Sequence, residues 1–119
     1  MTRINCVPPE ELTALHLLAE YRELPRVFAL ARPDPNAPAA YTLGPGHVRF
    51  FYSRTGYLAR RQAAIIAECR RRGFNVAHTT PPAPIPGLDA DWTPTPEALA
   101  INRARIAERI AAKPDLYRH

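Results

Sequence analysis

Residues 16–28 read His-Leu-Leu-Ala-Glu-Tyr-Arg-Glu-Leu-Pro-Arg-Val-Phe, and this stretch decides the fold that we expect. On a helix, apolar side chains spaced four, three and four residues apart form one continuous stripe that can pack against a core. Leu17, Tyr21, Leu24 and Phe28 have this spacing. The pattern therefore predicts an amphipathic helix that is anchored by its apolar stripe.

The charged side chains of the same stretch fall largely off that stripe. Glu23 lies two turns from His16 and one turn from Arg26, and Arg22 and Arg26 form an i,i+4 pair. This arrangement is typical of a solvated helix face with routine ion pairs. It is also what a functional carboxylate set among cations looks like, and on spacing alone both interpretations stay open.

The composition indicates one cytoplasmic domain with a polyanionic partner. The chain has 119 residues, with 16 Lys+Arg against 11 Asp+Glu and a net charge of +5. Lys113 is the only lysine, and the planar guanidinium of arginine suits phosphate oxygens. No apolar run approaches the roughly 20 residues that cross a bilayer, and the N-terminus lacks the apolar centre of a signal peptide.

Neither the cysteines nor the histidines indicate a metal or disulfide framework. Cys6 and Cys69 are too few for a disulfide scaffold, and Cys69 lies in a helical pattern where a buried free thiol is expected. The four histidines are scattered without ligand spacing. We predict no metal site and no cofactor.

Three helices are predicted, joined by Pro-rich connections at 32–46 and 79–96. The first runs from about residue 9 to about 31, with Pro25 kinking or dividing it after Leu24. The segment from His47 to Tyr52 is either a short strand or an irregular packing segment. The sequence therefore predicts an all-α fold with a single compact domain over residues 1–119.

The second helix runs from about residue 55 to Arg72 and stops at Gly73. Leu58, Ile65 and Cys69 mark its inner face. Gln62 falls on the same line, as an edge residue or as a side chain that points into a cleft.

The third helix begins near Thr95 and runs to about residue 112. Its sequence places an i,i+4 pair of cations, Arg105 and Arg109, on one side of the helix. The predicted inner face of this helix consists of Leu99, Ile106 and Ile110. Trp92, in the preceding connection, is predicted to pack into the core.

Thr2 is a candidate nucleophile through its backbone rather than its side chain. Its small side chain permits removal of Met1, which exposes an α-amino group with an ordinary pKa of about 7.7–8.0. Nearby guanidinium charge, beginning with Arg3, lowers that pKa because like charge disfavours the ammonium form. Many processed N-termini without catalytic function also begin with threonine, so Thr2 alone does not indicate a nucleophile.

Several blocks of the sequence, including the one that contains Thr2, resemble a known family. Met-Thr-Arg-Ile-Asn at the start, residues 16–28 and Leu-Gly-x-Gly-His-Val-x-Phe-Phe-Tyr at 43–52 resemble the phage pyrimidine-dimer DNA glycosylase family, endonuclease V. So do Arg61-Gln62, Ile66-Ala67-Glu68-Cys69 and Arg72-Gly73-Phe74-Asn75. The blocks occur in family order from residue 1 to about residue 114.

The resemblance implies a monomeric repair enzyme that excises cyclobutane pyrimidine dimers from duplex DNA and then breaks the strand at the abasic site. It implies that the amine of Thr2 forms an imine with the sugar, that Glu23 is the essential carboxylate, and that the base opposite the lesion is flipped out. It places Gln62 in the DNA-facing cleft. The DNA contacts that it implies are Arg3, His16, Arg22, Arg26, Gln62, Arg105, Arg109, Tyr117 and Arg118.

Three departures from the family pattern leave the lesion open. Leu15 stands where the family has a DNA-contacting glutamine, the loop at 33–42 is shorter and less basic, and the family's aromatic-rich tail is longer. A glycosylase or abasic-site lyase with another lesion preference is one alternative. A DNA-binding module without catalysis is the other.

Overall fold

Three α-helices carry the structure. The computed structural model describes residues 4–117. Apart from one isolated bridge between Arg54 and Asp89, this part of the chain has no β-structure, and the all-α prediction is confirmed. The helices are Ala14–Ala29 (α1), Thr55–Arg71 (α2) and Pro96–Ala112 (α3), with short 3-10 helices at Pro9–Glu11 and Arg49–Phe51.

The predicted start of the first helix is wrong. Residues from Pro9 form only a 3-10 turn, after which Leu12 is extended. Thr13 then caps α1, its Oγ1 accepting a hydrogen bond from the backbone N–H of His16 at 3.1 Å. Because the threonine cap defines a new helix start, α1 begins at Ala14 rather than near residue 9.

α1 is not divided at Pro25, contrary to one of the two expected outcomes. A proline lacks the N–H that would donate to the carbonyl four residues earlier, here that of Tyr21. The side chain of Gln62 on α2 donates to this carbonyl oxygen instead, with Nε2 at 3.3 Å. A hydrogen bond from α2 thus replaces the one that Pro25 removes, and the helix continues to Ala29.

The second helix is confirmed, including its stop signal. Gly73 has a φ of +83°, and the N–H of Phe74 donates to the carbonyl of Cys69 at 2.9 Å, which together make a Schellman cap. The inner face of α2 packs on the stripe of α1. The fully buried side chains at this contact are Leu17, Leu24, Leu58, Ile65 and Cys69.

An aromatic cluster forms the other half of the core. The segment predicted as a strand or irregular piece is a 3-10 helix that buries Phe50 and Phe51. Trp92 packs against this cluster and stacks on Tyr41, with ring centroids 5.6 Å apart. The prediction that Trp92 plugs the core is confirmed.

α3 docks on the N-terminal segment rather than deeply in the core. Thr95 caps it as predicted, accepting from the backbone N–H of Ala98 at 3.0 Å. Its fully buried positions are Ala98 and Asn102. The predicted inner residues Leu99, Ile106 and Ile110 are only half-buried.

Candidate active site

A pocket of about 170 Å³ lies where α1, α3 and the N-terminal segment meet. It brings together residues that are far apart in the sequence. Five of them were predicted as site residues: His16, Glu23, Arg105, Arg109 and Tyr117.

Glu23 supplies a carboxylate to this pocket. Its side chain is 29% exposed, and one of its oxygens lies 3.3 Å from a guanidinium nitrogen of Arg26. It is therefore accessible to a bound molecule and is already oriented by a cation. A carboxylate in this setting can accept a proton or stabilise a developing positive charge.

His16 and Tyr117 form a flat wall of the pocket. Their rings are stacked with centroids 4.6 Å apart and planes 7° from parallel. Burial, and then the charge of Arg109, lower the pKa of His16 from its usual 6.5. The imidazole is therefore neutral near pH 7, which suits it to stacking and hydrogen bonding rather than to pairing with phosphate.

The basic part of the pocket comes from α3. Arg105 and Arg109 both line it, and Arg105 is braced by Glu108 at 3.2 Å. These guanidinium groups face the same space as the carboxylate of Glu23. The pocket thus offers cations for an anionic ligand beside a potential acid–base group.

The floor of the pocket is a buried polar network that the sequence did not predict. Glu20 is 1% exposed, and its two carboxylate oxygens accept hydrogen bonds from Nε and a terminal nitrogen of Arg61 at 2.9 and 3.1 Å. Asn5 also donates to Glu20, at 2.9 Å, and accepts from Asn102 at 2.8 Å. Burial alone disfavours the Arg61 cation, but Glu20 overrides this effect and raises the pKa of Arg61.

One sequence signal for this network existed. Glu20 lies three residues after Leu17 and four before Leu24, so it belongs to the buried side of α1. A carboxylate in that position needs a partner, but spacing does not say which of the many arginines provides it.

Removing Arg61 should destabilise the protein strongly. Arg61→Leu leaves the buried Glu20 carboxylate without its cation, a change that typically costs about 3–5 kcal/mol. Urea unfolding monitored by circular dichroism measures the loss. Arg60→Leu is the matched control, because Arg60 pairs with Asp91 at a site where both side chains are more than half exposed. A loss no larger than that of the control would contradict the assigned role of the buried pair.

A second hollow, of about 630 Å³, lies between α1 and the connection after α2. Arg22, Arg26 and Gln62 all line it. The N–H of His78 donates to the hydroxyl of Tyr21 at 2.8 Å, which fixes the connection against α1.

Gln62 is the unusual group in this hollow. Its side chain is 2% exposed, and its Oε1 accepts no hydrogen bond within residues 4–117. A buried unpaired acceptor is energetically unfavourable and is uncommon in folded proteins. Because Gln62 lines the hollow, this acceptor without a partner lies in the wall of the hollow.

Three predicted site residues, Thr2, Arg3 and Arg118, lie outside the described residues. Among residues 4–117, no group of three or more His, Cys, Asp or Glu side chains is arranged to hold a metal ion. In the same range, no helix is both long and apolar enough to cross a membrane.

Comparison with known families agrees with the resemblance seen in the sequence. The model of the pyrimidine dimer DNA glycosylase family matches residues 1–81. The match covers more than half of the chain and includes α1 with Glu23, all of α2 and the second hollow up to Thr80. α3 lies beyond it. The chain therefore belongs to the pyrimidine dimer DNA glycosylase family, which makes it a DNA-repair glycosylase with DNA as its partner.

Proposed function

We propose that this chain, acting as one monomeric domain over residues 1–119, excises cyclobutane pyrimidine dimers from duplex DNA and then cleaves the strand at the abasic site. The observation that carries the proposal is the pocket in which Glu23 faces Arg105 and Arg109 beside the N-terminal segment. A nucleophile, a carboxylate and phosphate-binding cations are the groups that this chemistry requires.

The nucleophile is the α-amino group of Thr2 after removal of Met1. Its lone pair attacks C1′ of the damaged nucleotide, and the bond from C1′ to the base breaks with its electrons leaving on the base, which is then protonated. The nitrogen gives up one proton, and its lone pair then forms the double bond to C1′ as the C1′–O4′ bond breaks. O4′ takes up a proton, the sugar ring opens, and the protonated imine (iminium) remains. Loss of a proton from C2′ then expels the 3′ phosphate and breaks the strand.

Glu23 is the group that moves protons in this sequence. It stabilises the positive charge that develops on the sugar and on the iminium, and it accepts a proton during ring opening or elimination. Its partial exposure and its place on α1 support this role.

The remaining predicted residues grip DNA on two sides of α1. Arg3, Arg22, Arg26, Arg105, Arg109 and Arg118 provide guanidinium groups for phosphates. The stacked rings of His16 and Tyr117 provide an apolar wall for the lesion.

The hollow at Gln62 is proposed to receive the base that is flipped out opposite the lesion. Its volume of about 630 Å³ accommodates a nucleobase, and Arg22 and Arg26 at its rim suit the flanking phosphates. The unpaired Oε1 of Gln62 is an acceptor for an exocyclic amine of that base. Extrusion costs a few kcal/mol, and such contacts offset part of it.

Gln62→Leu should weaken this extrusion about tenfold, because it removes a hydrogen bond worth roughly 1.5 kcal/mol. A duplex with 2-aminopurine opposite the dimer measures it, since the fluorescence of this base rises when it leaves the stack. Gln62→Leu and Gln62→Glu both lose the donor to the Tyr21 carbonyl, but only the glutamate keeps an acceptor, so a stronger signal from Gln62→Glu than from Gln62→Leu is expected. Equal fluorescence with wild type and Gln62→Leu would contradict the assignment.

Borohydride trapping tests the proposed function. Reduction converts the imine into a stable protein–DNA adduct, and duplexes carrying a dimer or an abasic site are compared. Adducts with both support the proposal, and an adduct with abasic DNA alone supports the alternative lesion preference. No adduct, from protein shown by mass spectrometry to have lost Met1, would leave only a DNA-binding module.

A further inference from the structure

The N-terminal segment Ile4–Val7 is held by side chains from every surrounding element. The side chain of Asn102 accepts from the backbone N–H groups of Cys6 and Val7, at 2.7 and 3.1 Å. Arg61 donates to the carbonyl of Val7 at 2.5 Å. These contacts fix a segment that belongs to neither a helix nor a sheet.

Ile4, the first described residue, is held most directly. Its N–H donates to Nε2 of His47 at 2.7 Å, and its carbonyl accepts from the hydroxyl of Tyr41 at 2.9 Å. Ile4 is 0% and His47 is 3% exposed. Both bonds therefore form away from water, where they hold the backbone in one place.

The hydrogen bonds that His47 makes with Ile4 and Thr42 determine its tautomer. A backbone N–H can only donate, so Nε2 is the unprotonated nitrogen. Nδ1 therefore carries the hydrogen and donates it to the carbonyl of Thr42, 2.6 Å away. The ring is anchored on one side so that its other side presents a fixed acceptor to Ile4.

We propose that His47 and Tyr41 are positioning residues for the N-terminal amine, acting through their hydrogen bonds to the backbone of Ile4. This inference rests on the proposed function, in which the Thr2 amine is the nucleophile. Two residues span at most about 7 Å, so a fixed Ile4 nitrogen limits how far the Thr2 amine can move from it. Asn5, the residue after Ile4, and Glu23 line the same pocket, so the segment that His47 holds runs beside the carboxylate.

Two substitutions separate the bond to Ile4 from the packing of the ring. In His47→Gln the side-chain oxygen reaches the position of Nε2 and can still accept from Ile4. In His47→Asn the shorter amide reaches only the position of Nδ1, so it keeps the contact with Thr42 and loses Ile4. Both variants lose the same ring contacts with Tyr41 and Phe51.

The test is single-turnover borohydride trapping on an abasic duplex at saturating protein, together with DNA affinity and thermal unfolding. His47→Asn should trap about 100-fold more slowly at unchanged affinity, which is the scale of a misplaced reacting group. His47→Gln should recover most of the rate. Equal rates in the two variants, or a loss confined to affinity, would overturn the proposal.

Tyr41→Phe keeps the test decisive if His47→Asn does not fold. It removes only the hydroxyl that holds the carbonyl of Ile4 and leaves the stacked ring on Trp92. Slower trapping at unchanged affinity supports positioning, and a wild-type rate overturns it. If the wild-type protein gives no adduct at all, the proposed function is wrong. If the wild type and the variants all form adducts at equal rates, only the positioning role is wrong.

Discussion

Replacing Glu23 with glutamine is expected to remove most strand cleavage while leaving DNA binding close to its wild-type level. Glutamine has the same size but no charge, so it can neither accept the proton nor stabilise the iminium. General acid–base groups typically contribute about 10²–10⁴-fold to a rate, and a loss of at least 100-fold is expected. The fold should tolerate the change, because the side chain is partly exposed and its pair with Arg26 lies on the surface of α1.

The measurement is the single-turnover cleavage rate on a dimer-containing duplex, with affinity measured separately at fixed salt. Glu97→Gln is the matched control. It removes the same charge from an exposed position in the first turn of α3, outside the pocket. It therefore corrects for the general gain in affinity that any lost negative charge gives. Undiminished cleavage by Glu23→Gln would remove this residue from the catalytic role.

The parts of the fold that follow from local signals were predictable. The spacing of Leu17 and Leu24 predicted α1, Gly73 predicted the end of α2, and Thr95 predicted the start of α3. In each case the physical cause lies within a few residues. Thr13 is a cap signal of the same kind, but the acidic turn at Pro9–Glu11 also matches the pattern of a helix start.

The features that were missed depend on partners distant in sequence. Pro25 does not divide α1, because Gln62 donates to the carbonyl that Pro25 leaves without a partner. Glu20 is buried because Arg61, 41 residues later, pairs with it. No periodicity in one helix reports which residue of another helix lies opposite.

The candidate site shows the same division. The charges of residues 16–28 left two interpretations open, and the structure shows that the ordinary one is geometrically correct, since Glu23 does pair with Arg26. An ion pair and a functional carboxylate are compatible. The sequence pattern could not show that α3 lies near Glu23. In the structure, Arg105 and Arg109 of α3 line the same pocket as Glu23.

Retaining Met1 is expected to abolish imine formation altogether. An additional residue moves the terminal amine by up to about 3.5 Å and puts an ordinary amide nitrogen at Thr2, which has no nucleophilic lone pair. Thr2→Val and Thr2→Ile separate these cases with a difference of one methylene. Valine is small enough to permit removal of Met1, whereas isoleucine blocks it, and mass spectrometry verifies both.

Thr2→Val should trap abasic DNA at a rate near that of wild type, which would also exclude the threonine hydroxyl as the nucleophile. Thr2→Ile should give no adduct, although its DNA affinity should match that of Thr2→Val because neither change alters charge. His47 and Tyr41 hold the backbone of Ile4, which opposes a shift of the segment that would compensate for the additional residue. An adduct from protein that retains Met1 would contradict this expectation, because it would have to form at the displaced α-amine of Met1 or at Lys113, the only lysine in the chain.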